Sequence, residues 1–408
     1  MTAALGLPPH LQKYAGRILD VDSHEMMPAQ RWVDAFGPEI RPLVEAWTGK
    51  GEGEESHANH PNVPDYEGDL VTIDANIVNV KGCRSPGAVD SARRLEVMDS
   101  MGIAKQLMFP GHAGLNGLQL IVSKDEVDFL RTITGDRAAV GKRFIELYND
   151  WAIDLGRSTD RLLPVVPLYG DTVDEMIAAA QTLIKRGIKA IWLAAPIPPG
   201  GKSPAHPDLD PFWALMAEAD CTVTLHLGSA GSEGERLFAS PAWGDAPPFK
   251  GHLAMSEFKF DPWSLSTVHL PCQNFLATMI IGGVFVRHPR LRFGVIEVGA
   301  YWVGPMAETL DLWHKNLGQF NKNVHRLPEL PSTYLSSNVR ISGFPFEEID
   351  VYLERHPYLA DVLCFATDYP HIEGGKDIFN VTSAKLEKFG EEALYKYFVG
   401  NAEWIMPH

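Results

Sequence analysis

The chain has 408 residues, of which 45% are hydrophobic and 22% charged, and it carries a formal net charge of −16. That balance is ordinary for a globular protein, its sign argues against a phosphate backbone as partner, and no apolar run reaches the roughly 18–20 residues that span a bilayer. The first 15 residues lack the basic and apolar blocks of a secretory leader, and Cys83, Cys221, Cys272 and Cys364 stand far apart. Both features make a reducing cytoplasm the expected compartment, with the cysteines as core thiols.

Short strand-like runs alternate with helical patterns along the chain. "GRILDVDSHEMMP" (16–28) contains the first strand. "DSARRLEVMDSMGI" (90–103) has helical spacing and precedes the strand "AKQLMFP" (104–110). The helical region 140–156 leads to "RLLPVVPL" (161–168). The helix 172–188, stopped at Gly187, leads to "KAIWLAA" (189–195). A short helix, 210–220, precedes "CTVTLHLG" (221–228), and an apolar helix, Asn274–Val286, precedes "LRFGVIEVG" (291–299). Helical patterns at 302–317 and 345–357 precede "NVRISGF" (338–344) and "DVLCFATDYP" (361–370), and a helix at 392–405 closes the chain.

Eight strand candidates, each followed by a helix candidate, predict a (β/α)8 TIM barrel forming a single domain over 1–408. A doubly wound open sheet is the alternative, but no glycine-rich phosphate loop accompanies the strands. Insertions at about 28–88, 228–273 and 318–337 read as irregular, and the first two are expected to cover the catalytic face.

In a barrel, reactive groups gather at the C-terminal ends of the strands. The first strand ends with Asp22 and His24, the fifth with His226, the sixth with Glu297 and the eighth with Asp368. Closure sets the eighth strand beside the first and the fifth across from it, so Asp22, His24, His226 and Asp368 can meet. Two imidazoles and two carboxylates suit one divalent ion, zinc or manganese, with a position left for water or substrate. Asp20 lies deeper on the same strand face and is expected to support this set, whereas Glu25 points the other way. His371 is a candidate acid/base, and His112 a candidate substrate contact. His57 and His60 read as loop residues. Trp192 and Arg236 suggest a partly apolar pocket with an anion contact.

"DVDSHEMMP", "RRLEVMDSMGI", "LYNDWAIDL", "HPDLDPFWAL", "TLHLGS", "FVRHPRLRFGVIEVGAYW" and "FATDYPHIEGG" together resemble the amidohydrolase-related group. Its nearest branch holds aminocarboxymuconate-semialdehyde decarboxylase and the aromatic-acid decarboxylases. The resemblance runs from about residue 17 to 405. It implies a metal-dependent barrel enzyme with Asp22, His24, His226 and Asp368 as ligands, a small-molecule substrate and a homodimer or larger homo-oligomer. Decarboxylases of this group usually carry histidine at the end of the sixth strand, where this chain has Glu297. A glutamate there can shuttle protons, bind substrate or simply pair with an arginine.

The expected function is non-oxidative decarboxylation of a small cyclic or unsaturated carboxylic acid, with Asp368, Glu297 and His371 as catalytic groups. Hydrolysis of an amide, lactone or activated carbon–carbon bond is the alternative. A degenerate, non-catalytic barrel is the second alternative.

Overall fold

The computed structural model describes residues 7–49, 59–73, 77–122, 130, 132–229, 245–249, 262–322 and 326–407. Strand β1 (Ile18–His24) pairs with β2 (Ile103–Phe109), and β2 with β3 (Leu162–Pro164). β4 (Val166–Pro167) resumes after a single residue, Val165, whose N–H still donates to the Met108 carbonyl at 2.9 Å. The ladder continues through β5 (Ala190–Trp192), β6 (Thr222–His226), β7 (Phe293–Ile296), β8 (Val339–Ser342) and β9 (Leu363–Cys364).

Every one of these pairings is parallel. The ring returns to β1 through Val21 N–H to Phe365 O (3.1 Å), His24 N–H to Tyr369 O (2.8 Å) and Asp368 N–H to Asp22 O (2.9 Å). With β3 and β4 taken as one stave, this is the (β/α)8 barrel. The lower end is plugged by the chain's own C-terminal segment. Thr222, at the foot of β6, donates its hydroxyl to the Ile405 carbonyl, and Arg292 reaches Met406 O at 2.9 Å.

The helices begin and end where their caps dictate. Asp90 accepts the Ala92 and Arg93 N–H groups ahead of Ser91–Met101, and Gly102 ends that helix in the left-handed region at φ +75°. Thr172 caps Val173–Lys185, and the helix gives way at Arg186 just before Gly187, as predicted. The predicted helix Asn274–Val286 is instead two helices, Leu270–Ile281 and Val284–Arg287. Gly283, at φ +70°, breaks it, because that conformation cannot belong to a right-handed helix.

The insertions carry more structure than the sequence suggested. Trp32–Phe36 and Arg41–Thr48 are helical within the first, and Pro331–Asn338 closes the third. Of the second, residues 228–229, 245–249 and 262–273 are described. His57 and Arg236 lie outside the described residues. A further helix, His112–Val122, follows β2. It packs so tightly on Arg137–Ser158 that a Cβ on Gly141 would lie 2.6 Å from the Gly117 carbonyl oxygen. Among the described residues, no helix is long and apolar enough to cross a membrane.

Candidate active site

Period two along β1 sends Asp20, Asp22 and His24 to one side, stepping up towards the C-terminal end. Asp20 is the deepest. Its carboxylate accepts from Gln106 Nε2 (2.8 Å), Thr367 N–H (2.9 Å), Thr367 Oγ1 (2.5 Å) and Asp22 N–H (3.1 Å). It therefore ties β1 to β2 and to the turn after β9. Burial pushes the Asp20 carboxyl up to about 7, against the pull of those donors.

Asp22 and His24 meet His226, Glu297 and Asp368 above it. His226 Nε2 lies 3.4 Å from Asp22 Oδ1 and 3.1 Å from Glu297 Oε2. His24 Nε2 lies 3.4 Å from Asp22 Oδ1, 3.6 Å from Glu297 Oε2 and 3.5 Å from Asp368 Oδ1. All five side chains are buried, the most exposed being Asp368 at 6%. Burial alone would raise Asp22, yet the imidazoles of His226 and His24 bring it below the usual carboxylate value. Burial alone would lower His24, yet Asp22 and Glu297 hold it well above the ordinary imidazole value.

These donors fit a divalent cation on the chemistry of their atoms. His24 Nδ1 lies 3.3 Å from the Pro110 carbonyl and His226 Nδ1 3.0 Å from the Leu227 carbonyl. A proton on each Nδ1 satisfies those carbonyls and leaves both Nε2 lone pairs facing inward, the usual orientation of imidazoles that hold a metal. His24 Nε2, though buried, makes no hydrogen bond. Three carboxylate oxygens surround it at distances too long for good hydrogen bonds and well suited to ligands sharing one centre.

Two overlapping donor groups arise, Asp22–His24–His226–Glu297 and His24–Glu297–Asp368–His371, each with its atoms within 4.8 Å of one another. Backbone strain aims two of the acids. Glu297 and Asp368 both sit at positive φ, +57° and +52°, which costs a non-glycine residue on the order of 1 kcal/mol or more. Such strain concentrates where geometry serves chemistry rather than stability.

Glu297 thus meets imidazoles and not an arginine. His371 stacks on His24, with ring centroids 4.0 Å apart, and its Nδ1 is 3.3 Å from Asp368 Oδ1. His112, the first residue of its helix, lies outside both donor groups and packs edge-on against Trp47 at 5.1 Å. Trp192 and Phe109 wall the cluster beside His226, at 5.2 and 4.2 Å between centroids. Glu25 faces away, its two oxygens accepting from Gly111 and Met27 N–H.

Three neighbours of the site were missed by the sequence reading. Arg94 is fully buried and donates to His24 O (2.6 Å) and Gly87 O (2.7 Å), with its guanidinium 4.9 Å from the Tyr369 ring centre. Glu373 is held by Asn59 Nδ2 at 3.0 Å, and burial, with Glu297 as a negative neighbour, pushes it up to about 7. Lys81 approaches from the first insertion. Only Glu373, two residues beyond His371 in "HIEGG", had a positional hint.

Several solved structures share this architecture. An amidohydrolase from Mycobacterium avium subsp. paratuberculosis K-10 superposes with a TM-score of 0.65 at 22% identity, covering 96% of this chain and 99% of that one. The 5-carboxyvanillate decarboxylase of Sphingomonas paucimobilis gives 0.57 at 16% identity, covering 95% and 98%. The enzyme of the same name from Novosphingobium aromaticivorans DSM 12444, complexed with manganese and 4-hydroxy-3-methoxy-5-nitrobenzoic acid, gives 0.56 at 17% identity, covering 99% of each. No curated protein matches the sequence. The profile of the family described as amidohydrolase matches residues 128–405, more than half of the sequence. That match, on a parallel barrel with a buried His/Asp/Glu cluster at its strand ends, makes this chain a member of the amidohydrolase family and an enzyme of the amidohydrolase fold.

Proposed function

We propose that this chain is a metal-dependent, non-oxidative decarboxylase of a small cyclic or unsaturated carboxylic acid. The observation that carries the reading is the convergence of two inward-facing Nε2 atoms with three carboxylates in one buried cluster. Asp22, His24, His226, Glu297 and Asp368 are the residues that would hold one ion, and their oxygen-rich set favours manganese over zinc. When bound, the ion supplies a Lewis acid that can stabilise charge developing on a carboxylate substrate or, in hydrolysis, acidify a water.

The protein's own groups then handle the proton. Burial, reinforced by His24, His112, His226 and Lys81 as positive neighbours, holds His371 well below the ordinary imidazole value. With His371 a neutral imidazole, the proton that the pair can give is carried on the Asp368 carboxyl, beside His371 Nδ1. As the bond to the carboxylate carbon breaks, its electron pair stays on the substrate carbon. Carbon dioxide leaves, and the Asp368–His371 pair delivers its proton to that carbon. Trp192 and Phe109 provide a face for a flat apolar ring.

Hydrolysis is the second reading, favoured by one observation: Glu297 stands among the donors where the related decarboxylases usually have histidine. The test is to incubate manganese-loaded protein with a panel of hydroxybenzoic and unsaturated acids in oxygen-18 water. Release of carbon dioxide is expected. Label in the product with no gas evolved would overturn decarboxylation in favour of hydrolysis.

A further inference from the structure

The first insertion brings a lysine beside the acids of the cluster and fixes its backbone there. Lys81 directly precedes the short 3-10 turn Gly82–Arg84. On its C-terminal side, Gly82 N–H donates to Pro370 O at 2.9 Å, within the turn that carries Asp368 and His371. On its N-terminal side, Val80 O accepts from Ser85 Oγ at 2.7 Å. Further along, Tyr369 Oη donates to Pro86 O at 2.6 Å. The segment is therefore stitched to the loop after β9 and cannot shift independently of it.

The Lys81 side chain is largely withdrawn from water, and burial holds its ammonium below the usual lysine value. The charged groups acting on it are Asp368, Glu373 and Lys376. Among the described residues, its ammonium has no hydrogen-bond or ion-pair partner. Glu373, a candidate structural partner, is held through one oxygen by Asn59, and its other oxygen, Oε1, is buried without a hydrogen bond. A half-buried lysine left unpaired beside two acids loses hydration with no compensating contact, unless a ligand supplies one.

Charge counting identifies that ligand's sign. With the pair's proton on Asp368, the formal charges of Asp22 and Glu297 balance those of a divalent ion. A carboxylate substrate adds a further negative charge and needs a second cation. Arg94 is already committed to His24 O and Gly87 O, and Arg340 lies over the Trp404 ring with its donors on Ser336 O and Val339 O. Lys376, which also acts on Lys81, is exposed, so Lys81 is the described cation withdrawn from water beside the cluster.

We propose that Lys81 is the anion contact of the substrate site, its ammonium pairing with a carboxylate oxygen of the acid held over the cluster, so that the site selects acids over their uncharged analogues. This rests on the decarboxylase reading for the substrate class, and on the pinned segment and the charge count for the residue.

The experiment uses the manganese-loaded full chain and two probes of matched shape, 2-hydroxybenzoate and 2-hydroxybenzamide, titrated calorimetrically. The parent protein is expected to bind the acid at least about tenfold more tightly than the amide. Lys81→Met should lose about tenfold or more for the acid and less than about twofold for the amide, whereas Lys81→Arg should keep the preference. Metal content and melting temperature, measured on all three proteins, show that the variants are folded and loaded. An unchanged acid-to-amide ratio in Lys81→Met overturns the proposal, as does a parallel loss for both probes or a parent protein with no preference. A fall in melting temperature with the ratio intact assigns Lys81 to a structural pairing with Glu373 and also overturns it. Selective binding of the acid without carbon dioxide release from any acid defeats the decarboxylase reading and leaves the anion contact standing.

Discussion

His226→Ala is the most direct probe of the cluster, because His226 reaches it from β6, across the barrel from β1. The substitution removes the Nε2 that lies 3.1 Å from Glu297 Oε2 and 3.4 Å from Asp22 Oδ1. Loss of a group that merely orients a ligand costs about 10–100-fold in metal affinity, so loss of a ligand itself should cost at least about 100-fold, or about 2.7 kcal/mol. The backbone of β6 should survive, since its ladder to β5 and β7 involves no side chain of His226. The assay is calorimetric titration of manganese into chelator-stripped protein, with circular dichroism melting as the check on folding. His112→Ala is the control: its ring packs on Trp47 outside both donor groups, and metal affinity should change by less than about threefold. A His226→Ala protein that binds manganese as tightly as the parent would refute the ligand assignment. Equal losses in both variants would refute the claim that the two histidines differ in role.

Arg94→Met should lower stability by about 3 kcal/mol or more in a denaturant melt, because it leaves the His24 and Gly87 carbonyls buried without their donor. An unchanged midpoint would mean that water replaces the guanidinium. Gly141→Ala should cost about 1–3 kcal/mol, since its Cβ would sit 2.6 Å from the Gly117 carbonyl oxygen; a neutral result would show that the two helices can separate. Acid should weaken metal binding. The metal-free His24 is held above the ordinary imidazole value, so its proton is fully present below that value and must leave for the ion to bind. Affinity should rise by about tenfold per pH unit until the raised value is passed, with about one proton released, measurable in buffers of different ionisation enthalpy. Binding without proton release would contradict this.

The site was partly legible in the sequence for a simple reason. Asp20, Asp22 and His24 lie on one strand, where period two alone places them on one face. His226, Glu297 and Asp368 were readable because each closes a short apolar run, and strand ends of a barrel share one face. Glu25 followed from the same alternation. The depth order within "DVDSHE" also emerged this way, with Asp20 bracing β1 against β2 and the turn after β9.

What escaped the sequence lacks a local period. The helix His112–Val122 is buried on most of its surface, so no polar face marked it. The Gly282–Gly283 break hid inside an apolar run that reads equally well as one helix. Lys81, Asn59 and Arg94 belong to an insertion or to an ordinary helix, and only packing brings them beside the cluster.

Taken by itself, the sequence determined the barrel and the end of it at which Asp22, His24, His226, Glu297 and Asp368 meet, because both follow from alternation and strand order. Tertiary structure decided how these groups face one another. It turned Glu297 towards two imidazoles instead of an arginine, strained the backbone at Glu297 and Asp368, and tied Lys81 beside Asp368 through contacts made far along the chain. Those outcomes depend on distances between residues hundreds of positions apart, which local propensity does not encode.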